Sequence, residues 1–292
     1  MLNLLLRAIG HSGVPFSNSL VARLGGLKAA RPKPFSVVWR GIRYHGDFEH
    51  LIDRHIYLFG AYAPAELDFL ELASKILRVQ GIHYLTMLDI GANVGQHSLA
   101  LQRDVDRIIP FEPSNRVAHR LRRNIETNKI ANIEVHEVAL GDRDVAGQLG
   151  SGLPGNDGSR SLNWTLDQGL NEEVVVRHGG RYLDGIEPTV REIHLIKLDV
   201  EGHEKLVFRG LEKRLRSDRP VILFELIGEH GGGFRDEDEL HTYLYSRHCL
   251  FALKKGSICQ LSQFVWGRDE EVVCLPAERV EAFKDLIAAQ RH

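Results

Sequence analysis

One nine-residue stretch, Met87-Leu88-Asp89-Ile90-Gly91-Ala92-Asn93-Val94-Gly95, limits the fold more than any other part of the chain. From Tyr84 to Ile90 nearly every residue is apolar, as a strand buried on both faces of a parallel sheet requires. Gly91 and Gly95 then bracket a tight turn, where the backbone can approach a ligand and adopt positive φ without a Cβ penalty. Val94, Leu99 and Leu101 follow on a segment of helix-forming composition. A helix N-terminus at that point offers N–H groups and partial positive charge to an anionic group. Such a corner either handles a nucleotide or serves packing alone.

Spacing separates two nucleotide chemistries. A dinucleotide fingerprint needs three glycines as G-x-G-x-x-G, with the pyrophosphate on the helix N-terminus. Here position 93 is Asn, and Asp89 sits two residues before the first glycine. A carboxylate there repels a pyrophosphate and suits a cationic amino group. S-adenosylmethionine carries such a group, a sulfonium, and no phosphate.

With 292 residues, 43% of them hydrophobic, the chain can bury a large core. No apolar run reaches the roughly 20 residues needed to span a bilayer. The short Leu2–Leu6 cluster lacks a basic region before it, so a signal peptide is not expected. Cys249, Cys259 and Cys274 match no metal spacing and suit a reducing compartment; the expected location is cytoplasmic. Residues 1–43 hold seven basic residues, Arg7 to Arg43, and the first acid is Asp47. That leaves the rest with 30 basic against 39 acidic residues. The basic arm either seeks an anionic membrane surface, peripherally, or packs across the acidic body; a nucleic acid is not the expected partner.

Residues 1–30 read as weakly amphipathic helix, and Arg31-Pro32-Lys33-Pro34 as a linker. Phe35 to Gly46 has strand-like content, and a helix spans about Ala65 to Val79. Strands then alternate with helices, which argues for a parallel sheet covered on both sides. The expected strands are Tyr84–Ile90, Arg107–Phe111, Ile133–Leu140, Ile193–Val200 and Val221–Leu226. Helices fall over Asn115–Asn128, His203–Leu215 and Asp236–Arg247. Leu250–Lys254 and Val272–Leu275 can pair antiparallel, and Pro276 starts a closing helix. Residues 143–192 break the rhythm as an insertion, a candidate lid or substrate-facing hairpin, with strand candidates at Ser161–Leu166 and Glu173–Arg177.

Ligands of an open α/β sheet sit beyond the C-terminal ends of its strands. Asp89 stands at the first such end, Glu112 at the second, where it could accept from ribose hydroxyls, and Asp142 at the third, where it could accept from an adenine amino group. The fourth end is the densest: Lys197, Asp199, Glu201, His203 and Glu204. Lys197 needs a partner there, and Glu225 on the next strand is a candidate. Asp199 and Glu225 would serve a metal-assisted variant, but no recognisable ligand spacing supports a metal. His97, His119 and His136 occupy positions where ordinary, satisfied histidines are common.

Asp89-Ile90-Gly91-Ala92-Asn93-Val94-Gly95, Phe111-Glu112-Pro113, Ala139-Leu140-Gly141-Asp142 and Ile196-Lys197-Leu198-Asp199-Val200-Glu201-Gly202-His203-Glu204 resemble, in that order, the FkbM-type S-adenosylmethionine-dependent methyltransferases. The resemblance runs through Val221-Ile222-Leu223-Phe224-Glu225, over roughly residues 58–228. Ala63 in Tyr62-Ala63-Pro64 stands where the family has an acid. The resemblance implies a class I methyltransferase fold, Rossmann-like, with a mostly parallel seven-stranded sheet and helices on both faces over 58–292. Residues 1–57 form a basic N-terminal extension outside it. It also implies O-methylation of a sugar, glycan or polyketide-type hydroxyl. Asp89, Gly91, Ala92, Asn93, Gly95, Glu112 and Asp142 are assigned to the cofactor, with Asp199 near its methionine end. His203 is the first choice as proton acceptor and Glu201 the second. A nicotinamide-dependent oxidoreductase and a binding module without turnover are the rival readings.

Overall fold

The computed structural model describes residues 7, 10, 11, 32–150, 172–186, 192–226, 233–244, 247–254, 257–260 and 270–287. Most of the basic arm and the strand candidate Ser161–Leu166 lie outside the described residues. The first described strands form a hairpin, β1 (Pro34–Trp39) and β2 (Ile42–Asp47), followed by a helix, α1 (Leu51–Phe59). Helix α2 (Pro64–Val79) leads into β3 (Thr86–Ile90), the glycine turn and the short α3 (Gln96–Ala100). Strand β4 (Arg107–Phe111) and α4 (Asn115–Thr127) come next. A small sheet of β5 (Ala139–Gly141), β6 (Val145–Leu149) and β7 (Glu172–His178) precedes α5 (Gly179–Ile186). Then follow β8 (Leu195–Leu198), α6 (Glu204–Gly210), α7 (Glu212–Asp218), β9 (Val221–Leu226) and α8 (Glu237–Leu244). Strands β10 (His248–Lys254), β11 (Ser257–Gln260) and β12 (Glu270–Pro276) and a 3₁₀ helix, Ala277–Leu286, close the described chain.

The main sheet has seven strands in the order β11-β10-β12-β9-β8-β3-β4. Strands β9, β8, β3 and β4 pair in parallel, while β12, β10 and β11 add antiparallel, so the sheet is mixed. Side chains alternate across it. Met87, Leu195, Leu223 and Val273 face a cluster with α2 and the 3₁₀ helix, built on Leu67, Leu70 and Phe283. Leu88, Ile196, Ile222 and Val272 face the opposite cluster with Leu183, Phe208 and Leu240 from α5, α6 and α8. Both faces are therefore covered, as the near-continuous apolar runs demand. No helix among the described residues is long and apolar enough to cross a membrane.

Three elements differ from the sequence expectation. The run Ile133–Leu140 is not one strand. Its first half lies along β4, with Glu134 N donating to Ile108 O and His136 N to Pro110 O. Ala139–Gly141 then leaves to pair in parallel with β7. The alternation of apolar and polar residues does not show which neighbour will claim each half. The helix over 203–215 is two, meeting at Leu211 after Gly210. A Cβ at Gly210 would come within 1.9 Å of the Gly141 carbonyl oxygen, so glycine lets α6 press onto β5 and weakens the helix there. The closing helix has the tighter 3₁₀ form.

Residues 34–57, grouped by sequence with the extension, share the core of the sheet: Val37, Trp39, Ile42 and Tyr44 pack in the α2-side cluster. The outer edge of β2 is closed by α4. Asn128 accepts from Arg43 N (2.7 Å) and donates to Arg43 O (2.9 Å). Asn124 does the same at His45, at 2.8 and 3.2 Å. The spacing suits: four helical residues rise about 6 Å, and two strand residues about 6.6 Å. Asp53, 0% exposed, fastens the corner by accepting from Tyr44 Oη and Asp47 N (2.6 Å each) and pairing with Arg120. Asp53→Ala would leave the buried Tyr44 hydroxyl and Asp47 N without their acceptor, so we expect a loss of about 3 kcal/mol in urea unfolding. A loss below about 1 kcal/mol would separate the hairpin from the cooperative fold.

Candidate functional site

A cleft of about 530 Å³ opens where β3, β4, β8 and β9 end. Its first wall is the glycine turn. Gly91 has φ +79°, and a Cβ there would fall 1.7 Å from the carbonyl oxygen of Asp199. Only glycine lets the β3 corner lie so close to the end of β8. Gly95, at φ +77°, is excluded from side chains by Leu121 of α4 and does not line the cleft.

The turn leaves no amide unused. Gly91 N and Ala92 N both donate to Phe111 O, Asn93 N to Glu112, Val94 N to the Asn93 side chain, and Gly95 N to Ala92 O. Within the turn itself the expectation of free N–H groups for an anion is corrected: from Gly91 to Gly95 the chain's own acceptors occupy them. Glu112 accepts from Asn93 N (3.0 Å) at one oxygen and from Ser114 N (2.8 Å) at the other, and it lines the cleft. Asp89 is placed differently from the expectation. It is fully buried behind the turn, where Oδ2 accepts from Ser98 N and Oγ (3.1 and 2.6 Å) and braces α3. Asp142 also lies off the lining, tied to Arg209 (3.1 Å) and Arg143 (3.2 Å). Burial pushes its carboxyl up, but the two guanidiniums outweigh that and hold it below its ordinary value.

The second wall is acidic. Lys197, Asp199, Glu225 and Glu271 come from β8, its end, β9 and β12, and all share the sheet face that meets α2, which contributes Glu66. Lys197, expected to meet Glu225, is held by Asp199 at 2.8 Å and Glu66 at 3.6 Å. Burial opposes its charge, yet Asp199 and Glu66 keep it raised well above the ordinary lysine value. Glu66, in turn, lies 3.2 Å from His97 Nε2. Burial pushes Glu66 up, and Lys197 followed by His97 hold it well below the carboxylate range. Carboxylate oxygens of Asp199, Glu201 and Glu225 lie within 4.8 Å of one another. Three acids that close are a donor set a divalent cation can take; proton uptake and Lys197 are the other means of offsetting their charge.

Burial, then repulsion from Asp199 and Glu225, pushes Glu201 up to about 8. Glu271, opposite Glu225 in the β12·β9 register, is pushed up to about 8 by burial, with Glu66 adding. Like charges facing each other across strands repel, which the sequence shows only once the pairing is known. Glu204 is 1% exposed and accepts from Val200 N and Gly202 N, yet burial still lifts it to about 7. His203, 6% exposed, lines the cleft, and its Nε2 has no hydrogen-bond partner among the described residues. Burial lowers the imidazole below its ordinary value; Asp142 opposes this and Arg143 adds to it. At neutral pH His203 is therefore an unprotonated base, while Glu201 still holds its proton.

The cleft thus gathers Gly91, Ala92, Asn93 and Glu112 on one side and Asp199, Glu201 and His203 on the other. Sequence reasoning missed Glu66, Glu271 and Gln96, whose Oε1 accepts from Tyr62 N at 2.6 Å. The signal for Glu271 was an acid beside the apolar run Val272–Leu275. Because Glu201 is raised when folded, its stabilising contribution is full below the ordinary 4.5 and lost as pH climbs through about 8. Glu201→Gln should therefore gain melting temperature relative to wild type from about pH 5 to pH 8 and no more above it. A difference constant across that range would refute the assignment.

Residues 89–253 match the Methyltransferase FkbM domain. Methyltransferase 1 of Beauveria bassiana (strain ARSEF 2860) is 26% identical over 145 residues, 43% of this chain and 58% of that protein, so the match spans less than two thirds of that relative. Among solved structures, a methyltransferase FkbM from Methylobacillus flagellatus KT superposes with a TM-score of 0.43 at 17% identity, over 76% of this chain and 52% of that one. An O-methyltransferase from Bacillus cereus in complex with SAH superposes at 0.40 and 20% identity, over 73% and 81%.

Proposed function

The chain belongs to the FkbM methyltransferase domain family, and on that premise we propose that it transfers the methyl group of S-adenosylmethionine to a hydroxyl of a sugar, glycan or polyketide-type acceptor. The observation that carries the cofactor is the turn in which every amide from Gly91 to Gly95 already has an acceptor. A dinucleotide needs those amides for its pyrophosphate; a nucleoside sulfonium does not. When bound, S-adenosylmethionine supplies a methyl group activated for displacement.

The chain's own groups supply the rest. Glu112, pinned by two backbone amides at the edge of the cleft, accepts from the ribose hydroxyls. Asp199, fixed by Lys197, faces the methionine end. His203 takes the proton of the attacking hydroxyl, a contribution of ~10²–10⁴-fold. Its lowered pKa suits that role across the neutral range, where Glu201 remains protonated. Apolar neighbours such as Leu140 and Leu149 help keep water from the acceptor.

Calorimetry against S-adenosylmethionine, S-adenosylhomocysteine and NAD tests the cofactor; binding of NAD alone would overturn the reading. Transfer of a radiolabelled methyl group to glycan and polyketide extracts tests turnover, and a product without a methyl ether excludes the O-methyl reading. Glu112→Ala should weaken both adenosyl ligands by about 1–3 kcal/mol, since both carry the same ribose. Unchanged affinity for both removes Glu112 from the site. His203→Gln should cut kcat by ~10²-fold or more with cofactor affinity near wild type. In wild type, kcat should rise with pH through a value below the ordinary histidine pKa and then level off. A variant that keeps most of its kcat transfers the proton to Glu201 or to water.

A further inference from the structure

Lys197 is the most deeply buried cation among the described residues, 2% exposed in the middle of the sheet. Its Nζ reaches Asp199 at 2.8 Å and Glu66 at 3.6 Å, and Glu66 reaches His97 at 3.2 Å. His97 belongs to α3, two residues beyond the glycine turn. A line of four ionisable side chains thus runs from the helix behind that turn to the acid at the cleft floor. A buried ion pair is poor support for stability as such, because desolvation opposes the Coulombic gain and an apolar residue would fill the place at less cost. What the ammonium provides is an orientation. Asp199 shares its surroundings with Glu201 and Glu225, within 4.8 Å, and without a fixed cation a carboxylate there would turn away from its neighbours.

We propose that Lys197 is a positioning residue: it holds the Asp199 carboxylate in the cleft against its acidic neighbours and acts on binding of the methyl donor through Asp199. The inference rests on the reading of the cleft as an S-adenosylmethionine site.

Calorimetry with S-adenosylmethionine and S-adenosylhomocysteine on wild type, Lys197→Met, Asp199→Asn and the double variant tests it, with melting temperature measured on each. Residues acting as one unit are non-additive. Lys197→Met and Asp199→Asn should each weaken S-adenosylmethionine about tenfold, and the double variant no more than the worse single. Losses that multiply in the double variant overturn the proposal, as does a Lys197→Met protein that binds like wild type at a lower melting temperature. Should Lys197→Met not fold, Glu66→Gln takes its place in the same cycle, with a loss expected in the wild-type background and none beside Asp199→Asn; equal loss in both overturns it. Wild type that binds neither ligand removes the cofactor reading itself, whereas wild type that binds both leaves the outcome to the cycle.

Discussion

The approach of Gly91 to the Asp199 carbonyl is the contact on which the site depends. Strands β3 and β8 are hydrogen-bonded neighbours, and the ladder continues past β8 with Asp199 N donating to Ile90 O at 2.9 Å. That extra rung fixes how far the glycine turn stands from the acidic segment after β8. A side chain at 91 would force the two apart. The glycine-turn wall and the acidic wall are therefore set in register by backbone, before any side chain contributes. Glu112 and Lys197 then fasten each wall from within.

The electrostatics divide the acids into two populations. Glu66 stays ionised because Lys197 and His97 are near, while Glu201 and Glu271 are lifted because burial and like charges surround them. Composition does not reveal this division, since all are ordinary carboxylates in the sequence. Position relative to one ammonium decides it. His203 is governed differently: burial lowers it, and the opposed effects of Asp142 and Arg143 are smaller. That separation lets one cleft hold a protonated acid and a neutral base at the same pH.

Much of this was legible from spacing. The strand–glycine turn–helix corner and the cluster from Lys197 to Glu204 are contiguous in sequence, so local pattern sufficed to place them. Strands buried on both faces announced themselves by apolar runs. Asp89 shows the limit: its position before the glycines was read correctly, but its carboxylate points to Ser98, and no pattern gives a side chain's direction. Asp142 was captured by Arg209, a residue 67 positions away. Glu66 and Glu271 join the floor through helix and strand packing that no short window contains. The half of Ile133–Leu140 that turns away is claimed by β7, a strand within the insertion and far along the sequence.

The hairpin edge carries a consequence of another kind. A strand with a free outer edge offers its N–H and C=O groups to any other chain, and such edges nucleate association. On β2 those groups at Arg43 and His45 are taken by two side-chain amides of α4. Each asparagine presents a carbonyl and an NH₂ in the arrangement of a peptide group, so the helix stands in for a missing strand. Two asparagines a helical turn apart thereby bar a neighbouring molecule from extending the hairpin at its β2 edge.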